Sequence, residues 1–203
     1  MGIKERHERD RAEVRRAILD AARELFVADG YERVSIRKIA ERIEYSPAAL
    51  YSYFPSKDDI FFALAEDGFR LMTGDPAALD SLAALPPLER VRELFWRFYL
   101  FSREHPQYFS LMFIDRSVPS IGRAYERFAF AREGKQVLVA HIEDAVRAGV
   151  LSASVAPELM VHIVSCALVG VAAMHLSDRL PPDTADALAR AALRATLEIG
   201  RAH

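Results

Sequence analysis

Residues 34–60 read VSIRKIAERIEYSPAALYSYFPSKDDI. Within them Ile36, Ile39, Ala40 and Ile43 fall at i, i+3, i+4 and i+7, the spacing of one apolar helical face, and Ser35 stands where a hydroxyl accepts from the free amides of a first turn. Glu44, Tyr45 and Ser46 form a turn. Ser46 then caps a second helix with Pro47 at its first position, where the missing amide hydrogen has no partner to lose. Ser56, with Asp59 three residues on, fits a capping-box-like start for a further helix reaching about Met72. Two short helices around such a turn are the layout in which one helix braces another against the major groove of DNA. Ala40 is small enough for the pair to cross closely, Leu50 and Phe54 supply the second helix's apolar contacts, and Ala48, Ala49, Ser52 and Tyr53 are left to face outward.

Outward from this stretch, apolar residues keep helical spacing almost everywhere and strand signals are nearly absent, so the chain reads as all-α, with about nine helices in total. A helix runs from about Arg9 to Ala28, ended by Gly30. Asp75 to Pro87, with three prolines, reads as a hinge between a small front module and a larger rear one. The rear holds helices from about Leu88 to Glu104, after Pro106, from Ser120 to Ala148, from Pro157, and from Thr184 to Ile199. Leu159 to Leu176 approaches the length of a membrane span, but His162, Ser165 and His175 interrupt it, and it reads as a helix buried on most sides within protein. No membrane partner is expected.

Charge divides unevenly: residues 1–57 hold 12 Lys and Arg against 10 Asp and Glu, the remainder 15 against 19, so the front is mildly basic and the back acidic. The single cysteine, Cys166, excludes an intrachain disulfide and reads as packing material in a reducing cytosol. The first residues interleave Arg6, Arg9 and Arg11 with acids and lack the apolar segment of a signal peptide, so a cytoplasmic location is expected. Of the early arginines, Arg6 and Arg9 stand as DNA-contact candidates and the others as a solvated face.

The ordered positions from Val34 to Ile43, from Ser46 to Phe54 and from Ser56 to Ile60 resemble the signature of the tetracycline-repressor family. The resemblance implies a helix-turn-helix DNA-binding domain over 1–56 and a helical effector-binding and dimerisation domain over 57–203, bridged by the helix from 56 to about 72. It implies a transcriptional regulator rather than an enzyme, acting on DNA without a cofactor, and repression is the commoner behaviour in the family. One departure stands out: Glu44 occupies a turn position where the family usually has glycine. The resemblance also implies roles. Arg37 forks onto a guanine edge or a phosphate, Ala48 and Ala49 meet thymine methyls behind Pro47, and Ser52 bonds a base or a phosphate. Ser35, Tyr51, Tyr53 and Lys57 hold phosphates and set register, although a tyrosine at Tyr51's spacing also suits packing on the first helix.

In the rear, the apolar helix and the last one, with Ala187, Leu188, Ala191 and Ala195, are expected to form a two-fold homodimer seam, which places two reading helices about one DNA turn apart on an inverted-repeat operator in double-stranded DNA. Trp96, Tyr99, Tyr108, Met112 and His162 are the expected contacts for a small, largely apolar effector. Two other readings remain open. His162 and Cys166, four apart, would share a face in a metal-dependent enzyme, although no second pair completes a site, and in a helical adaptor the front module would bind protein rather than DNA. No metal site, nucleophile elbow or phosphate loop is recognisable, so an enzyme is not expected.

Overall fold

The computed structural model describes residues 3–73, 82–119 and 129–199, which form nine α-helices and no strand. α1 spans Ile3–Asp29 and stops where Gly30 takes a φ of 81°, its amide closing on the Phe26 carbonyl at 3.0 Å. A 3₁₀ turn, Tyr31–Arg33, leads to α2, Ile36–Arg42, and α3, Pro47–Tyr51. Their caps form as the sequence predicts: Ser35 Oγ accepts from the Lys38 amide at 3.2 Å and Ser46 Oγ from the Ala49 amide at 3.1 Å. α4, Lys57–Thr73, opens on Ser56, whose hydroxyl donates to Asp59 at 2.6 Å while accepting the Asp59 amide at 3.2 Å. α5 is Pro87–Glu104, α6 is Pro106–Phe109 with a π turn over Ser110–Ile114, α7 is Ala129–Arg147, α8 is Pro157–Leu176 and α9 is Pro182–Ile199. α1 begins six residues earlier than the sequence suggests, so the early arginines ride on a helix rather than on a loose arm. The expected start of α7 at Ser120 lies outside the described residues.

The side chains sort into two clusters. One gathers α1 to α4 around Phe26, Ile39, Leu50, Phe61 and Leu64, and continues into Phe101, Phe109 and Met112 of the rear. The other joins α5, α7, α8 and α9 through Phe95, Tyr99, Ile142, Val164 and Leu168. The apolar core therefore does not stop at residue 56. Of the expected hinge, residues 75–81 lie outside the described residues. Its remaining part is tied down: Leu82 is buried, and Arg90 donates to the Leu82 and Leu85 carbonyls at 3.1 and 3.0 Å. Arg90 also bears on His141, whose pKa is lowered first by burial and then by that positive charge.

α8 is long and apolar enough to cross a membrane by length and composition, yet one third of its most apolar window is buried within the chain. The expectation of burial on most sides therefore fails for a single copy. Val161, Val164, Leu168 and Ala172 face inward, while Leu159, Cys166, Gly170 and Met174 are open, and Leu188 and Ile199 of α9 are open as well. Cys166 is exposed rather than packed, because the stripe of small residues that suggests burial lies on the outer face.

Candidate nucleic-acid interface

α2 braces α3 through the residues the spacing singles out. Ile36, Ile39 and Ala40 are buried beneath α3, and Leu50 and Phe54 meet them from the other side. The Tyr45 amide bonds back to the Ala40 carbonyl at 2.9 Å, closing the turn. That closure needs Glu44 at a φ of 58°, the left-handed region that disfavours a side chain with a Cβ. Glu44→Gly is expected to raise stability by about 0.5–1 kcal/mol, the relief at positive φ exceeding the glycine's greater freedom when unfolded. Urea unfolding of the two proteins reads this out, and a loss of stability would mean the turn is not strained.

With its inner face engaged, α3 presents the other one. Ala48, Tyr51 and Ser52 are exposed, and Ala49 and Tyr53 are partly so, with Pro47 open at the tip. Tyr51 is 55% exposed. Arg37 has a side chain 79% exposed whose Nε meets Glu41 at 2.9 Å, an exposed pair of little strength that leaves the guanidinium free to turn. Ser35 holds the α2 N-terminus at the same surface, and Ser52 Oγ is spent on the Ala49 carbonyl at 2.7 Å. Tyr45, 44% exposed beside these groups, is a member of the surface that spacing alone does not single out.

Two further members come from α1. Arg11 donates to the Ser52 carbonyl at 3.2 Å and lies 5.2 Å from the Tyr53 ring centre, and Arg15 lies 4.8 Å from that of Phe54. These arginines clamp the end of α3, whereas Arg6 is simply exposed and Arg9 faces Glu13 at 3.7 Å. Lys57 is only partly exposed, because its ammonium donates to the Tyr31 carbonyl at 2.9 Å and sits 3.9 Å from the Tyr31 ring centre. The Tyr31 hydroxyl in turn donates to Asp58, and burial and that bond push its pKa up. The start of α4 is thereby locked to the 3₁₀ turn that follows α1.

The five expected effector contacts fall in three places. Trp96 and Tyr99 are neighbours, with ring centres 5.1 Å apart, and the buried Tyr99 hydroxyl donates to Asp186 at 2.8 Å. Tyr108 and Met112 pack together against Gly68 of α4, and the Tyr108 hydroxyl accepts from Arg23 of α1 at 3.1 Å. His162 stands apart on the open face of α8, its Nε2 3.3 Å from Lys135 Nζ. The structure does not bring these five residues together, because helical spacing marks apolar faces without saying which of them share a space. Among the described residues no three His, Cys, Asp or Glu side chains gather as a metal site, and Cys166 and His162 have no third ligand.

Residues 18–64 match the family described as bacterial regulatory proteins, tetR family. The HTH-type transcriptional repressor Rv1474c of Mycobacterium tuberculosis is 42% identical over 53 residues, 26% of this chain and 28% of that protein. The HTH-type transcriptional repressor AcnR of Corynebacterium diphtheriae is 38% identical over 58 residues, 28% of this chain and 30% of that protein. The matched stretch thus covers less than a third of either repressor's length. The fold match is far broader: the TetR family transcriptional regulator PfmR from Thermus thermophilus superposes with a TM-score of 0.69 at 25% identity, covering 89% of this chain and 97% of that one. The front of this chain thus matches the tetR family of bacterial regulatory proteins over residues 18–64, and its helical frame resembles that of a TetR family regulator over most of its length.

Proposed function

We propose that this chain is a cytoplasmic transcriptional repressor that binds an inverted-repeat operator as a homodimer and changes its hold on DNA when a small, largely apolar effector binds. It performs no catalysis in this reading. The observation that carries it is the exposed face of α3, held rigid from beneath by α2 and clamped at its end by Arg11 and Arg15. Ala48 and Ala49 offer methyl contacts, Arg37 offers a forked donor, and Ser35, Tyr51, Tyr53 and Lys57 meet phosphates, so base reading is sparse and backbone contacts set the register. A second copy covers the open apolar face of α8 and α9, which a lone chain would leave in water.

The same reading gives a route between the two ends. The domains we assign to residues 1–56 and 57–203 meet at a junction where α4 carries Gly68, against which Tyr108 and Met112 are seated, and α1 carries Arg23, bonded to Tyr108. A ligand in the rear that favours a different seat for α6 would move α1 and α4 together, and with them the spacing of the two reading helices. Its leverage equals its difference in affinity for the two states.

Selection of bound duplexes from a random pool tests the function, with an inverted repeat as the expected product and no enrichment as the refutation. On the best selected site Arg37→Ala is expected to lose about 1–3 kcal/mol of binding while mixed-sequence duplex is held as before. Anisotropy titrations at fixed salt measure both, and an unchanged affinity for the best site removes Arg37 from the reading surface.

A further inference from the structure

A cleft of about 760 Å³ opens between the start of α5 and the outer side of α9, away from the DNA-facing surface. Leu85, Trp96 and Leu193 give it apolar walls, and Arg92, Arg190 and Arg194 give it charge. Two carboxylates also line it, but each is occupied: Glu89 pairs with Arg92, and Glu93 accepts from Arg97 at 2.9 Å. Arg190 and Arg194 have no carboxylate partner among the described residues, so the cleft keeps an unbalanced positive charge. The Arg190 guanidinium lies 3.8 Å from the Trp96 ring centre. Stacking of this kind uses the faces of the guanidinium and leaves its in-plane N–H donors pointing outward, already fixed in direction.

We infer that this cleft binds a flat organic carboxylate, its ring against the Trp96 and Leu193 wall and its carboxylate forked by Arg190 and Arg194. The volume falls in the range of small-molecule sites, and a flat body fits beside an indole and guanidinium stack. Two positively charged donors without an acid partner select an anion over a neutral molecule of the same shape. At 100° per residue around α9, Arg190 and Arg194 point about 120–160° away from Leu188 on the apolar face, while Ala187, a residue of the expected seam, lines the cleft, so the cleft borders that seam. The inference rests on the effector reading, to which it gives a place and a chemical class, and it moves the expected contacts: of the five residues named from sequence, only Trp96 belongs to this cleft.

Trp96 is the only tryptophan in the chain, so its fluorescence reports the cleft alone. The test is a titration of the full chain, without DNA, with 4-bromobenzoate, whose bromine quenches indole on contact, and with the neutral twin 4-bromobenzamide, each repeated by calorimetry. Saturable binding of the acid is expected, at least about ten-fold tighter than that of the amide, a difference of about 1.4 kcal/mol. Arg194→Met and the double variant with Arg190→Met should each weaken the acid, the double variant at least ten-fold, whereas Arg147→Met, an exposed arginine elsewhere, should bind as the parent does. Equal affinity for acid and amide, an undiminished double variant, or no saturation up to about 10 mM would each overturn the inference. Because no DNA is present, failure here leaves the regulator reading standing, and failure of the duplex selection leaves the cleft standing.

Discussion

Gly170→Arg is expected to yield a folded monomer whose affinity for the operator is lower by about 10²- to 10⁴-fold, the gain normally conferred by linking two binding modules. Gly170 lies on the open side of α8, and a Cβ built there meets nothing within 4 Å inside the chain. Replacing glycine within a helix should if anything favour the helix, by about 0.5–1 kcal/mol. Against a second copy the outcome reverses. The arginine would stand amid Leu159, Cys166, Met174 and Leu188, apolar or weakly polar side chains that offer a buried guanidinium no acid, and an uncompensated charge in such a seam costs several kcal/mol. Sedimentation at micromolar concentration should find a dimer for the parent and a monomer for the variant, with unchanged helical circular dichroism. A variant that still pairs would place the seam elsewhere, and a monomeric parent would end the two-headed reading altogether.

The front of the molecule was legible because its determinants are local. Caps at Ser35, Ser46 and Ser56 act over three residues, the bracing face repeats at helical spacing, and the departure at Glu44 appears as a φ of 58° at that residue. Contacts between distant segments carry no such signal. Arg11 reaches Ser52 across 41 positions and Lys57 reaches Tyr31 across 26, so the clamp on α3 and the lock at the start of α4 emerge only once the chain is folded.

The rear was harder to read for a second reason. Phe98, Phe109 and Phe113 pack with ring centres 5.0–5.7 Å apart, and an aromatic that fills a core has the same helical spacing as one that lines a pocket. Tyr99 and Tyr108 illustrate the ambiguity, since both are buried and both hydroxyls already have partners within the chain. Cys166 is the converse case. A stripe of small residues identifies a surface that something must cover, and the sequence of one chain does not distinguish its own helices from those of a second copy.

The largest effect on stability is expected from Phe61→Ala, a loss of about 3–5 kcal/mol out of a total that for such chains is about 5–15 kcal/mol. Phe61 is fully buried on α4, its ring centre 5.8 Å from that of Tyr31 at 70° and 5.8 Å from that of Phe62. Further along the same helix, Phe69 meets Phe113 of the rear with ring centres 6.3 Å apart. Removing the Phe61 ring therefore leaves a void where the front module docks on the helix that also reaches the rear. Because one cluster runs from Phe26 through Phe61 to Phe109, and Phe98 packs against both it and the second cluster that Trp96 borders, the damage should appear as a single cooperative transition at lower denaturant, seen alike by Trp96 fluorescence in the rear and by total helicity. Melting of the front alone, with the Trp96 signal unmoved, would mean that the core is divided after all. That division would also remove the route to DNA, since an effector can reposition the reading helices through α4 only if the front and rear hold to it as one body.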